Sequence, residues 1–233
     1  MTGFDVDTPS FSAGKKLVVV SAGLSQPSST RLLADRLTEA TADSLRESGP
    51  SAESAGSAGS GESATTEVDI RIIELRDLAH DITNNLLTGF AAPKLQAAID
   101  AVTNADGLIA VTPIFTTSYS GLFKSFIDVI DTTALTDLPV LIAATGGTER
   151  HSLAPDYAMR PLFTYLHAVV VPTSVYAASA DWGSAEGSTL PDRIGRAAGE
   201  LAALVRASDR SGRVSDPFAL PSGFSPVGGF GAQ

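Results

Sequence analysis

Cysteine is absent from the 233 residues, which removes disulfides, thiolate metal centres, iron–sulfur clusters and cysteine nucleophiles from the possible chemistry. Histidine is nearly as scarce. His80, His151 and His167 are scattered without metal-ligand spacing, so no metal site is expected. Nothing approaches the roughly 18 to 20 consecutive apolar residues of a membrane-spanning helix, and the N-terminus, with Asp5 and Asp7, lacks a basic-then-apolar signal pattern. A cytoplasmic protein with no membrane partner is therefore expected. Basic charge is also short: the net charge is −10 and the pI near 4.6, which argues against binding nucleic acid, whose phosphates need a basic face. Two glycine signatures are missing as well. No G-x-x-x-x-G-K-[ST] occurs, and no G-x-G-x-x-G follows the first strand, so neither a P-loop nor a dinucleotide fingerprint is present.

What is present is the composition of an ordinary globular chain, 43% hydrophobic and 18% charged, with enough apolar side chain for one sizeable core. One α/β domain is expected over residues 15–208, with a loose leader at 1–14 and a Pro/Gly/Phe tail at 209–233. Residues 47–66 collapse into Ser, Ala, Gly and Glu. Such a composition cannot bury a face and reads as a flexible insertion. Phe218, Phe224 and Phe230 either belong to a disordered tail or dock on a neighbouring subunit.

The chain is organised around Thr112-Pro113-Ile114-Phe115-Thr116-Thr117-Ser118-Tyr119-Ser120-Gly121. Gly107 to Val111 before it is a short apolar run that suits a strand buried on both faces. After it, Leu122, Phe123, Phe126, Ile127 and Ile130 recur at helical spacing. In an open parallel sheet such a loop stands at the carboxyl edge of the strands, where ligands bind. Its hydroxyls and its apolar pair, Ile114 and Phe115, suit a flat, partly apolar ligand.

Lys16 to Ser21 reads as the first strand and Ala22 to Thr30 as the loop after it, with Ser28, Ser29 or Thr30 capping a helix that carries Leu32, Leu33, Leu37 and Leu45. Free N–H groups, a positive dipole end and hydroxyls there fit a phosphate, and an ordinary N-cap loop fits them equally. Val68 to Leu75 is the second strand, alternating as a sheet-edge strand does. Arg76 to Ala91 reads as irregular, a loop over the flank of the site. Pro93 opens a helix, Leu138 to Ala144 is the fourth strand, and Thr145-Gly146-Gly147-Thr148 is a third ligand-edge loop or a plain turn. A helix over 155–166, a fifth strand over 168–171 and a last helix over 193–207 complete a doubly wound sheet.

Three segments together resemble the flavodoxin-like NAD(P)H-dependent FMN reductases, in particular the reductase components of two-component flavin monooxygenase systems. Thr112-Pro113-Ile114-Phe115 followed by Ser118-Tyr119-Ser120-Gly121-Leu122-Phe123-Lys124 is similar to the family's T-P-x-Y loop and S-x-S-G-x-L-K helix start. Ala144-Thr145-Gly146-Gly147, with Asp156-Tyr157-Ala158 beyond it, is similar to the A-T-G-G loop and the D-Y-A helix. The first loop departs, with Gln26-Pro27 near the place of the family's Arg in G-S-x-R-x-x-S, and Phe115 stands where Tyr is common.

The resemblance implies a five-stranded parallel sheet of order 2-1-3-4-5 with helices on both faces. It implies that Ser25, Gln26, Ser28, Ser29 and Thr30 surround the phosphate of FMN. Thr112, Pro113, Ile114, Phe115 and Thr116 would meet the ribityl chain and ring edge, and Thr145, Gly146 and Gly147 the pyrimidine side. In the reductases serving sulfonate monooxygenases the position of Tyr119 lies in a helix irregularity at a subunit interface. NADPH or NADH would donate hydride to the flavin, with no side chain acting as acid or base and the protein supplying position only. A flavin-dependent monooxygenase would receive the reduced FMN from a homodimer or homotetramer. The alternatives are an FMN-retaining quinone or azo reductase and a non-enzymatic flavodoxin-type electron carrier.

Overall fold

A computed structural model describes residues 14–47, 67–182 and 189–210. Nearly all of the expected leader, the Ser/Gly insertion and the Phe-bearing tail lie outside the described residues.

The strands are β1 (Lys15–Ser21), β2 (Val68–Glu74), β3 (Gly107–Phe115), β4 (Ser118–Tyr119), β5 (Pro139–Gly146), β6 (Val169–Val170) and β7 (Val175–Ala178). The helices are α1 (Ser29–Glu47), α2 (Ala79–Thr88), α3 (Pro93–Thr103), α4 (Gly121–Asp128), α5 (Arg160–Tyr165) and α6 (Leu190–Ala207). The sheet runs β2-β1-β3-β5-β6, parallel throughout, with β7 also parallel to β5 and the short β4 antiparallel to β3. The long strands keep the expected flavodoxin-like order.

The apolar runs of β1, β3 and β5 are continuous because helices cover both faces. Side chains alternate between them. Leu17, Val19, Ile109 and Leu141 pack with Leu33, Leu37, Ile194 and Leu201 of α1 and α6. Val18, Val20, Leu108 and Ile142 pack with Ile82, Leu95, Phe123 and Phe163 of α2 to α5. Each fully buried Leu or Phe contributes on the order of 1.5–3 kcal/mol relative to exposure. The sheet therefore holds both layers rigidly beneath its carboxyl edge. β2 buries only Ile73 fully among its seven residues, as its place at the edge requires.

The structure corrects three expectations. The segment read as irregular contains a 3-10 turn at Leu75–Leu78 and then α2, which anchors only Ile82 in the core and stops at Gly89 in the left-handed region (φ 77°). One anchor in ten residues leaves too weak a periodicity to recognise. The fifth strand is two pieces. After Val171 the chain breaks at Pro172, which has no N–H for a ladder, and Arg160 supplies the missing partners by donating to the carbonyls of Val171 and Pro172 at 2.9 and 3.0 Å. The stretch read as loop after Val111 continues as strand to Phe115 and returns as β4. Tyr119 accordingly lies in β4, and the helix irregularity lies elsewhere, as a π turn at Pro155–Met159 leading into α5.

Candidate functional site

Parallel pairing of β1 with β3 and of β3 with β5 brings the loops that follow these three strands to one edge. The loop after β1 starts with Ala22 N–H bonded to Val111 O at 2.9 Å. Ser28 is the N-cap of α1: its Oγ accepts from Arg31 N at 3.2 Å, while its carbonyl accepts from Leu32 N at 3.0 Å. The N–H groups of Ser29 and Thr30 precede this ladder and form the positive end of the helix. A Cβ on Gly23 would fall 2.1 Å from Ser28 Oγ, so glycine is required for the loop to close on its own cap.

The second loop is a hairpin, pairing Ile114 with Tyr119 and Phe115 with Ser118. Its two turn residues, Thr116 and Thr117, have φ of 49° and 70°, the sign pattern of a type I′ turn, which favours Asn-Gly. Two β-branched residues there cost of order 1–3 kcal/mol each. The base of the hairpin is tied by buried Thr112, whose Oγ1 accepts from Ser120 N at 3.0 Å and lies 3.3 Å from Ser120 Oγ. Ser120 Oγ in turn caps α4 by accepting from Phe123 N at 3.2 Å. Pro113 and Ile114 are half-buried, and Phe115 is 48% exposed.

The stretch read as a third loop from Thr145 begins as strand, since β5 runs to Gly146, and there Thr145 is buried and shares a 2.8 Å hydrogen bond with Thr30 of α1. Tyr176 of β7 donates its hydroxyl to Thr148 O at 2.6 Å and occupies the space beside Gly146, where a Cβ would lie 2.1 Å from the phenol oxygen. Burial first, and then the charge of Asp181, push the Tyr176 phenol above its ordinary value. Beside Gly147 the space is open.

All thirteen residues singled out in the sequence lie on the loops or on the strand ends and helix start that border them, but their hydroxyls divide into two groups. Those of Thr30, Thr112, Thr145 and Ser28 are committed to bonds that build the loops. Ser25, Ser29 and Thr116 are exposed, as is Gln26. Sequence reasoning missed Tyr176, Glu74 and Arg76, the last of which donates to Ser25 O at 3.0 Å. All three come from strands or strand ends flanking the loops, and no local motif marks them. The donor set of helix N–H groups, three exposed hydroxyls, a half-exposed aromatic and an open glycine suits a phosphate monoester attached to a flat ring. Among the described residues, no group of three His, Asp or Glu could hold a metal ion, and no helix is long and apolar enough to cross a membrane.

Residues 15–183 match the model of the NADPH-dependent FMN reductase family. The FMN reductase (NADPH) of Pseudomonas aeruginosa is 39% identical over 167 residues, covering 72% of this chain and 78% of that protein. The NADH-dependent FMN reductase SfnE of Pseudomonas putida is 32% identical over 165 residues, 71% of this chain and 77% of that one. A solved oxidoreductase from Corynebacterium diphtheriae superposes with a TM-score of 0.75 at 43% identity, covering 84% of this chain and 99% of the other.

Proposed function

The chain belongs to the NADPH-dependent FMN reductase family and is an NAD(P)H:FMN oxidoreductase; from that premise we propose how its three loops divide the work and where the product goes. When bound, FMN supplies the redox chemistry by accepting hydride from NADH or NADPH. The protein's part is placement. Ser29 and Thr30 N–H groups at the start of α1, with the Ser25 hydroxyl and the Gln26 backbone, hold the phosphate. Thr112 to Thr116 line the ribityl chain and one ring edge, with Phe115 against the ring. Gly146 and Gly147 let the backbone approach the polar edge, and Thr145 fixes that loop. No side chain of the three loops serves as acid or base.

The observation that carries this reading is the Thr30–Thr145 hydrogen bond, which draws the loops after β1 and β5 together across β3. The cradle is shallow on the side of Phe115 and Gly147, so reduced FMN leaves it readily, and a flavin-dependent monooxygenase is the receiver. The reaction is cytoplasmic, where reduced pyridine nucleotides are held. A homodimer or homotetramer covers Leu86, Leu87 and Phe90, which are 49%, 80% and 82% exposed at the end of α2. The test is oxidation of NADH and NADPH with FMN, FAD and riboflavin side by side, followed by gel filtration. FMN-dependent oxidation with flavin lost on the column is expected. Flavin retained through the column with fast quinone reduction contradicts release.

A further inference from the structure

From Ala22 to Thr30 the loop after β1 contains no basic residue, although its proposed ligand carries a phosphate. One guanidinium reaches it from outside, and a second is coupled to that one through a shared carboxylate. Arg76, in the 3-10 turn after β2, donates from Nη1 to Ser25 O at 3.0 Å, and the Gln26 amide lies against the same guanidinium, which assigns its oxygen to that side. Arg76 Nη2 lies 2.6 Å from Glu74 Oε2, and Glu74 Oε1 accepts from Arg31 Nη1. Arg31 also donates to Asp35 at 2.7 Å. Glu74 thus bridges one arginine from α1 and one from the end of β2. With the Arg76 and Glu74 side chains only 19% and 15% exposed, the cluster is screened far less than a surface ion pair and holds a fixed geometry.

The consequence is directional. Across a trans peptide the C=O and the following N–H point to opposite sides. Arg76 follows β2, the edge strand beside β1, so fixing Ser25 O on Arg76 turns the Gln26 N–H away from the guanidinium. Ser25, Gln26 and Pro27 are exposed, and the Arg76 bond ties this stretch to the ion-pair cluster.

Resting on the reading that the chain binds FMN, we propose that Arg76, held by Glu74, is a positioning residue that aims the loop's N–H groups at the phosphate. Selection of phosphorylated flavin over riboflavin then depends on a residue outside the phosphate loop. The ribityl and ring contacts come from other loops, so riboflavin binding does not depend on Arg76.

The test is equilibrium titration of Arg76→Met and wild type with FMN and with riboflavin, read by flavin fluorescence, with thermal melting of the flavin-free proteins as a control for folding. FMN affinity is expected to fall roughly tenfold, while riboflavin affinity stays at the wild-type value. Equal losses for both flavins, or no loss for either, overturn the proposal. Glu74→Gln carries the same test if Arg76→Met does not fold, with a shift in the same direction. Wild-type protein that binds no flavin overturns the underlying reading instead.

Discussion

Thr30, in the first turn of α1, and Thr145, near the end of β5, share a buried hydroxyl–hydroxyl hydrogen bond of 2.8 Å across 115 positions of sequence. Either partner alone would be a buried hydroxyl without its mate. Thr145→Val is therefore expected to cost about 1–3 kcal/mol, and Thr30→Val a similar amount, while the double variant costs clearly less than the sum. Chemical denaturation of the three variants measures this coupling, and simple additivity would show that the bond is not what joins the two loops.

The Thr116–Thr117 turn holds β-branched residues at φ of 49° and 70°. Replacing the pair by Thr116→Asn and Thr117→Gly, the residues this turn prefers, is expected to stabilise the protein by about 1–3 kcal/mol. The midpoint of urea unfolding at constant slope reports it.

Gly146 faces the phenol of Tyr176 at a distance that no Cβ tolerates. Gly146→Ala is expected to push Tyr176 off Thr148 O and to weaken FMN binding. Adding Tyr176→Phe removes the closest atom and restores part of the loss. An Ala variant with wild-type FMN affinity would show that Tyr176 does not set the path of this loop.

The same phenol gives a pH dependence. Its folded-state pKa is raised above 10.0, chiefly by burial. The unfolded chain therefore loses this proton first as the pH climbs. The stability linked to it is fully present below pH 10 and is lost as the pH rises through the folded-state value. Unfolding free energies measured from pH 8 to 11 should decline more steeply for wild type than for Tyr176→Phe; parallel curves contradict the assignment.

The parts of the fold that rest on strong patterns were legible in the sequence. The apolar runs of β1, β3 and β5 identify strands covered on both faces, the hydroxyl run Ser28-Ser29-Thr30 marks the start of α1, with Ser28 the residue that caps it, and Pro93 marks the first turn of α3. What escaped was decided by tertiary contacts. The short helix α2 has one core anchor, Ile82, and β7 resumes after Pro172 across a stretch held by the side chains of Arg160, Glu200 and Asp156. The candidate site shows the same division. Its three loops and their hydroxyls could be read locally, but which hydroxyls build the loops and which are exposed depends on pairings such as Thr30 with Thr145 and Thr112 with Ser120. Tyr176 and Arg76 act on loops distant in sequence, so local spacing could not identify them.

The central claim is that the loops after β1, β3 and β5 form one cradle for FMN. A crystal structure of the protein with FMN tests it most directly. The phosphate is expected against the N–H groups of Ser29 and Thr30, with the ring between Phe115 and Gly147. Flavin bound away from these loops, or with its phosphate remote from the start of α1, would contradict the account.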